Sequence, residues 1–313
     1  WVSHEAAELD LIRLQALATA IATYNNQSLS AERPILSAML PGGERIQIVQ
    51  EPAVPAGTIS ITIRRPSHGT RAMAQYVADG VFDGFVDAKG AGERTEADAE
   101  LLAHYRRAAT DPSAMAAFFE TAIRQHRNIA IVGDTGSGKT TFMKTLCAML
   151  PHRERIITIE DVREIFMADH PNRVHLLYSK GGQGVARVTP ADLIASCMRM
   201  KPDRVLLAEL RGSESYDFLK LLTTGHSGSI TSYHAASCAE AITRFVLMAK
   251  EHPEAAAYQD LALKRLFFTA IDIVAHLKAI PVFDKDGRQV GRRRVMTEIY
   301  FDPDKKAALA YES

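Results

Sequence analysis

The sequence predicts an α/β fold, a parallel-rich sheet with crossover helices preceded by a small α+β domain and a linker. Three observations carry this. Gly133-Asp134-Thr135-Gly136-Ser137-Gly138-Lys139-Thr140 matches G-x-x-x-x-G-K-[ST] at every fixed position, between an apolar run of strand length and a helical pattern. Beyond it, apolar strand-length runs alternate with helical patterns. Before it, stretches between Pro34 and Arg64 alternate polar and apolar in steps of two, as half-buried antiparallel strands do.

The first element is an amphipathic helix over residues 3–24, with Leu9, Leu11, Ile12, Leu14, Leu17 and Ile21 on a broad apolar face. Pro34–Leu40 reads as a strand, turned by Pro41-Gly42-Gly43 into Arg45–Val49. After a loop at 52–57, Thr58–Arg64 alternates most cleanly. Helix and strands make an α+β domain over 1–67. Residues 68–111 read as a linker with short helices; Lys89–Asp98 is polar and carries Gly90 and Gly92, so mobility is expected there. The third unit, 112–313, opens with a helix over Pro112–Gln125 and the strand Asn128–Val132, and a helix begins at the loop's exit. Strands follow at Arg155–Ile159, Arg173–Tyr178, Arg204–Ala208, Ser229–Ser232 and Ala270–Leu277. Helices are predicted over Thr189–Met200, Ser213–Thr223 and Ser237–Lys250; the first opens with a capping hydroxyl, a proline and then an acid. Ser179–Ala186, with its glycines, reads as a mobile surface loop. Arg294–Phe301 and Lys306–Tyr311 read as a closing hairpin around Asp302-Pro303-Asp304.

Composition narrows the function classes. Acidic and basic residues balance at 37 each, which argues against a chain devoted to coating nucleic acid. Cys147, Cys197 and Cys238 are widely spaced, so neither a zinc site nor a disulfide framework is signalled and buried free thiols are expected. No apolar run of about 18 residues and no signal peptide is visible, so no membrane span is predicted; peripheral attachment stays open. The chain starts at Trp1 and enters patterned sequence directly, so residues ahead of it are expected.

A strand, a glycine loop and a helix start are what a triphosphate site requires. The glycines let the loop amides turn inward, and the positive end of the helix dipole faces the phosphates. The phosphate-binding set is Gly133, Thr135, Gly136, Ser137, Gly138, Lys139, Thr140 and Thr141. Lys139 reaches the outer two phosphates and the Thr140 hydroxyl binds Mg²⁺. Two strand ends offer the acid that Mg²⁺ and the attacking water need. Glu209, after Val205-Leu206-Leu207-Ala208, is the choice for general base, and Glu160, after Ile157-Thr158-Ile159, for a second carboxylate on water or Mg²⁺. The competing reading of each is a solvated acid capping the next helix. In Gly225-His226-Ser227-Gly228, His226 is the choice for a group sensing the terminal phosphate; His234, beyond the short strand, is open between a functional and a structural role. Arginines able to steady the transferring phosphoryl are Arg45, Arg64 and Arg65 in the first domain and Arg199 and Arg211 in the third unit. Arg292-Arg293-Arg294 reads as a solvated hairpin face.

Residues 133–141, Ile-Thr-Ile-Glu-Asp at 157–161, Leu-Leu-Ala-Glu-Leu-Arg-Gly at 206–212 and Gly-His-Ser-Gly-Ser-Ile-Thr-Ser-Tyr-His at 225–234 resemble, in order, four motifs of the secretion ATPase superfamily. These are the Walker A, Asp box, Walker B and His box of the hexameric traffic ATPases. Gly-Glu-Arg-Ile-Gln-Ile-Val at 43–49 and Thr-Ile-Ser-Ile-Thr-Ile-Arg-Arg-Pro-Ser at 58–67 resemble the first domain of the type IV secretion branch. The resemblance implies a RecA-like motor behind a PAS-like first domain, with ATP and Mg²⁺ between the two. It implies a homo-hexameric ring at the cytoplasmic face of the inner membrane, partnered by other secretion components. It also implies that Arg45 and Arg64, with Arg65 as the register alternative, approach the γ-phosphate. Rival readings are a nucleotide-gated scaffold and the pilus or type II branch. A DNA-translocating motor is disfavoured, since no basic, aromatic-laced stretch signals direct nucleic-acid binding.

Overall fold

The computed structural model describes residues 1–66, 69, 71–83, 95–179 and 184–311. Helix α1 (Leu11–Tyr24) starts later than predicted, because Asp10 caps it: the Asp10 carboxylate accepts from Arg13 N at 2.8 Å. Strands β1 (Ile35–Met39), β2 (Arg45–Gln50) and β3 (Ile59–Arg64) form an antiparallel sheet in that order. Ala18, Ile21 and Ala22 pack on Leu36, Ile46 and Ile48, while Leu9, Ile12 and Leu17 of the predicted apolar face stay exposed.

Helix α2 (Met73–Ala78) is short. Helix α3 (Glu96–Arg107) is not: it has 12 residues, and Thr95 and Asp98 form a reciprocal capping box at its start. Leu101 of α3 is buried against α4 (Ala114–Arg124), and Arg127 pairs with Asp98 at 2.7 Å. The end of the stretch read as linker therefore packs on the motor layers. The expected mobile middle of that stretch, and that of the 179–186 loop, lie outside the described residues.

The main sheet follows from apolar runs long enough for strands and alternating with helices. Its strands are β4 (Ile129–Gly133), β5 (Ile156–Glu160), β6 (Arg173–Leu177), β7 (Arg204–Leu207), β8 (Ile230–Tyr233), β9 (Ile273–Phe283) and β10 (Gln289–Phe301). Their spatial order is β10-β9-β4-β8-β7-β5-β6, parallel throughout except that β10 runs antiparallel to β9. Because side chains alternate across a strand, Ala130 and Val132 face one layer and Ile129 and Ile131 the other. The first layer holds α6 (Pro190–Cys197), α7 (Glu214–Thr223), α8 (Cys238–Lys250) and α9 (Asp260–Ala270); the second holds α4 and α5 (Lys139–Ala148). Cys147, Cys197 and Cys238 are buried free thiols, as expected.

The chain's end departs from the prediction. β9 continues past Leu277 to Phe283 and pairs with β10, and residues 303–311 are a helix, α10 (Pro303–Tyr311), rather than the second arm of a hairpin. Asp302 caps it through Lys305 N at 3.0 Å, Pro303 occupies its first turn, and Lys306 docks it on Asp272 at 2.6 Å. Arg292, Arg293 and Arg294 are exposed on the β10 ribbon.

The first domain leans on the edge of the main sheet beside β6 and α6. Gln47 donates to Ser196 Oγ at 2.8 Å, Arg155 to Thr62 at 3.1 Å, and Leu177 N to Ala53 O at 2.9 Å. At the amino-terminal ends of the strands Arg204 is wholly buried. It donates to Glu154 at 2.5 and 3.2 Å, to Ile123 O at 2.7 Å and to Gly228 O at 3.4 Å. A buried cation stripped of its acid is left uncompensated. Glu154→Ala is expected to cost about 3–5 kcal/mol, seen as a lower urea midpoint. Asp260→Asn, which breaks the exposed pair with Lys250, is expected to leave the midpoint near the parent's.

Candidate functional site

The phosphate loop joins β4 to α5 at the carboxyl ends of the parallel strands, where ligands of open α/β sheets bind. Two of its glycines are required by geometry. Gly133 has φ +148°, and a Cβ there would stand 2.0 Å from Leu277 O of β9. Gly138 caps α5 with φ +98°, a left-handed conformation that favours glycine. Thr135, Gly136 and Ser137 lie in the loop, and Thr140 and Thr141 in the first turn of α5. Ser137 Oγ is buried and has no hydrogen-bond partner among the described residues. Lys139 Nζ donates to Gly133 O at 2.8 Å and Asp134 O at 3.0 Å. Burial pulls the Lys139 ammonium down from its ordinary range, against the opposing pull of Glu209 and Asp134. A buried hydroxyl lacking a partner and a partly desolvated ammonium beside inward-turned glycine backbone fit a phosphate group. The Thr140 hydroxyl, one residue on, fits Mg²⁺ bound with it.

Glu209 follows β7 and faces this loop through a histidine. His234 Nε2 lies 3.0 Å from Glu209 Oε1, and His234 Nδ1 lies 3.4 Å from Lys139 Nζ. The arrangement suits the tautomer with Nδ1 accepting from the ammonium and Nε2–H donating to the carboxylate. Arg211 bridges the other Glu209 oxygen, at 2.7 Å from Nε, to Asp161 at 2.7 Å from Nη1. Lys139, His234, Glu209, Arg211 and Asp161 thus form one continuous polar chain across the strand ends.

Glu160 is placed differently. It is fully buried; one oxygen accepts from Glu164 N at 2.8 Å and Ile165 N at 2.9 Å, the other from Thr158 Oγ1 at 2.7 Å. Burial alone pushes its carboxyl up, but the His175 imidazole 3.6 Å away and bonds from Ile165 N, Thr158 and Glu164 N outweigh that and hold it below the ordinary 4.5. Both oxygens are committed to the chain's own donors, so in this arrangement Glu160 suits neither Mg²⁺ nor water activation. It caps the 161–165 turn from a fully buried position, which differs from a solvated acid at a helix start.

His226 precedes β8 and so stands at the far end of the sheet from the loop, with Thr224 Oγ1 3.5 Å from its Nδ1. His234, just past the end of the same strand, is the histidine at the loop. The sign that separates them is position relative to the strand, since only carboxyl ends open into the crevice. Arg45 and Arg64 are direct cross-strand partners and, with Met198 and Arg199, line a cavity of about 420 Å³. Arg65 lies outside it. Met198 and Arg199 lead into the amino end of β7, so about the length of that four-residue strand, ~13 Å at ~3.3 Å per residue, separates this cavity from its own loop. ATP held between the two domains of one chain is therefore not what this arrangement offers.

Residues 95–279 match the model of the type II/IV secretion system protein family. The chain belongs to that family. It is 41% identical over 314 residues to the type IV secretion system protein VirB11 of Brucella suis biovar 1 (strain 1330), spanning 100% of this chain and 83% of that protein. It is 40% identical over 304 residues to the type IV secretion system protein PtlH of Bordetella pertussis (strain Tohama I), spanning 96% and 85%. The crystal structure of the VirB11 ATPase from the Brucella suis type IV secretion system, in complex with sulphate, superposes with a TM-score of 0.87 at 41% identity, covering 100% of this chain and 87% of that one.

Because the Glu160 carboxyl is held below 4.5 in the fold, the stability it contributes is fully present above that pH and lost as pH falls through the folded value. Glu160→Gln is therefore expected to melt below the parent at pH 7, with the difference in Tm shrinking as the pH falls below 4.5 towards the lower folded value.

Proposed function

We propose that this chain is a Mg²⁺-dependent ATPase of a type IV secretion system, working as a homo-hexameric ring and powering assembly or substrate transfer. The observation that carries the reading is the continuous contact from the phosphate-loop lysine through His234 to Glu209. The loop amides and Lys139 bind the phosphates. Mg²⁺, held through Thr140, would neutralise charge on the outer phosphates. Glu209 accepts the proton of the attacking water. In the arrangement seen, Glu209 is occupied by Arg211 and His234, and Lys139 by its own backbone. A triphosphate that draws Lys139 outward removes the donor facing His234 Nδ1, which loosens the His234–Glu209 contact and frees Glu209 Oε1, while Arg211 keeps hold of Oε2. Phosphate arrival and base release are thereby one event.

Arg45 and Arg64 have no carboxylate partner among the described residues and open to solvent away from their own loop. A ring supplies what they lack, since a neighbouring subunit's nucleotide can face them. Arginines delivered in trans steady charge on the γ-phosphoryl oxygens. Among the described residues no helix is long and apolar enough to cross a membrane. The ring would work at the inner membrane's cytoplasmic face with other secretion components.

Steady-state ATP hydrolysis with oligomer mass recorded tests this. Glu209→Gln is expected to bind ATP and to lower kcat by ~10²-fold or more. A parent ring that binds ATP and never turns over would move the assignment to a nucleotide-gated scaffold. His234→Ala is expected to lower kcat far more than His226→Ala; the reverse order would sink the relay. For action in trans, Arg64→Ala should be nearly inactive alone, by ~10³-fold, and so should Lys139→Ala. Mixed rings of the two are expected to recover activity, because some interfaces pair an intact loop with an intact arginine. No recovery in verified mixed hexamers would place the arginines at their own loop.

A further inference from the structure

The β9–β10 ribbon runs past the phosphate loop on the side away from Glu209. Leu277 of β9 pairs with Gly133, and two residues further Ala279 pairs with Arg294 of β10, so Arg294 stands where the ribbon leaves the sheet beside the loop. Its side chain lies on the loop: the Cβ position of Gly138 is 2.7 Å from Arg294 Cδ and 3.3 Å from Nε. Among the described residues no acid or carbonyl pairs with its guanidinium. A cation is thus placed against Gly138, the residue that opens α5, at the positive end of that helix. An anion seated at that helix end would meet both the helix dipole and this guanidinium.

We propose that Arg294 is a nucleotide-binding arginine supplied by the same subunit, contacting the α-phosphate end of the bound nucleotide. The inference rests on the nucleotide site proposed above. Strand order decides the end. β8 and β7, with His234 and Glu209, flank β4 on one side and define where the γ-phosphate and water must lie. β9 and β10 flank it on the other, where the rest of the nucleotide leaves the loop. A group on the α-phosphate side meets ATP, the transition state and ADP alike, so its contribution is uniform binding that leaves the chemical step alone. This distinguishes Arg294 from Arg45 and Arg64, whose contribution concerns the γ-phosphoryl.

The test is titration of the full-length ring, with Mg²⁺ present, by ADP and by a non-hydrolysable ATP analogue, alongside kcat at saturating ATP. Arg294→Ala is expected to raise Kd for both ligands by about tenfold, the scale of one charge-assisted contact, with kcat within about twofold of the parent. Arg294→Lys should fall between. Arg293→Ala, on the opposite face of the ribbon, should bind as the parent does. Unchanged affinity in Arg294→Ala for both ligands overturns the inference. So does a loss confined to the ATP analogue with a matching fall in kcat, which would assign the arginine to the γ-phosphate. Lys139→Ala separates the two claims: if it too binds normally, the loop is not the nucleotide site and the inference falls with it.

Discussion

The position of β4 is the constraint on which the rest depends. It is paired on both edges, with β8 and with β9, and it ends in Gly133 pressed against Leu277 O. A strand held on two sides cannot shift its terminus, so the glycine loop that follows starts from a rigid anchor. The same pairing divides the surroundings of the loop. Groups from β8 and β7 arrive on one side and bring His234 and Glu209; β9 and β10 arrive on the other and bring the Arg294 side chain against Gly138. A nucleotide laid across the loop meets binding functions at one end and bond-breaking functions at the other.

Charge in this site is arranged so that each state has partners. In the structure Lys139 is satisfied by backbone carbonyls and Glu209 by Arg211 and His234, so neither charge is left bare in a partly desolvated crevice. The resting contacts and the working contacts compete for the same atoms. This makes an idle site stable and makes turnover conditional on a ligand that outbids the internal bonds. Neither Arg45 nor Arg64 has such a resting partner among the described residues. An exposed arginine tolerates that in water, and it leaves both free for a neighbouring subunit.

Much of this was legible because local pattern and chemistry coincide. The phosphate loop needs glycines, a lysine and a hydroxyl at fixed offsets, and a strand carries Glu209 to the crevice by its own length. Glu160 has the same local signature, an acid ending a buried strand, yet takes another role because the 161–165 turn folds back and offers it two amides. That turn is a tertiary event with no periodic mark. His226 and His234 sit in similar polar surroundings in sequence; only the direction of β8 tells them apart. The helix α3 did carry a mark, the Thr95–Asp98 pair, but it was embedded in a stretch whose composition reads as linker. For α10, Asp302-Pro303 reads equally as a turn or as a cap and first turn, and docking of Lys306 on Asp272 settles it.

Arg292-Arg293-Arg294 shows most clearly why composition underdetermines a site. Three adjacent arginines on an exposed ribbon are, by pattern, a solvated face, and alternation makes two of them point one way and the third the other. Which pair faces the loop depends on the register between β10 and β9, and through β9 on the register with β4. Two ladders of backbone hydrogen bonds therefore decide whether a surface arginine becomes part of a phosphate site. The bulge between Met296 and Glu298 adds a further shift of one residue at the base of the ribbon. A slip of one position in either ladder would turn Arg294 to solvent and bring Arg293 or Val295 over Gly138. The cation at the loop is thus a property of the sheet's register rather than of the basic run.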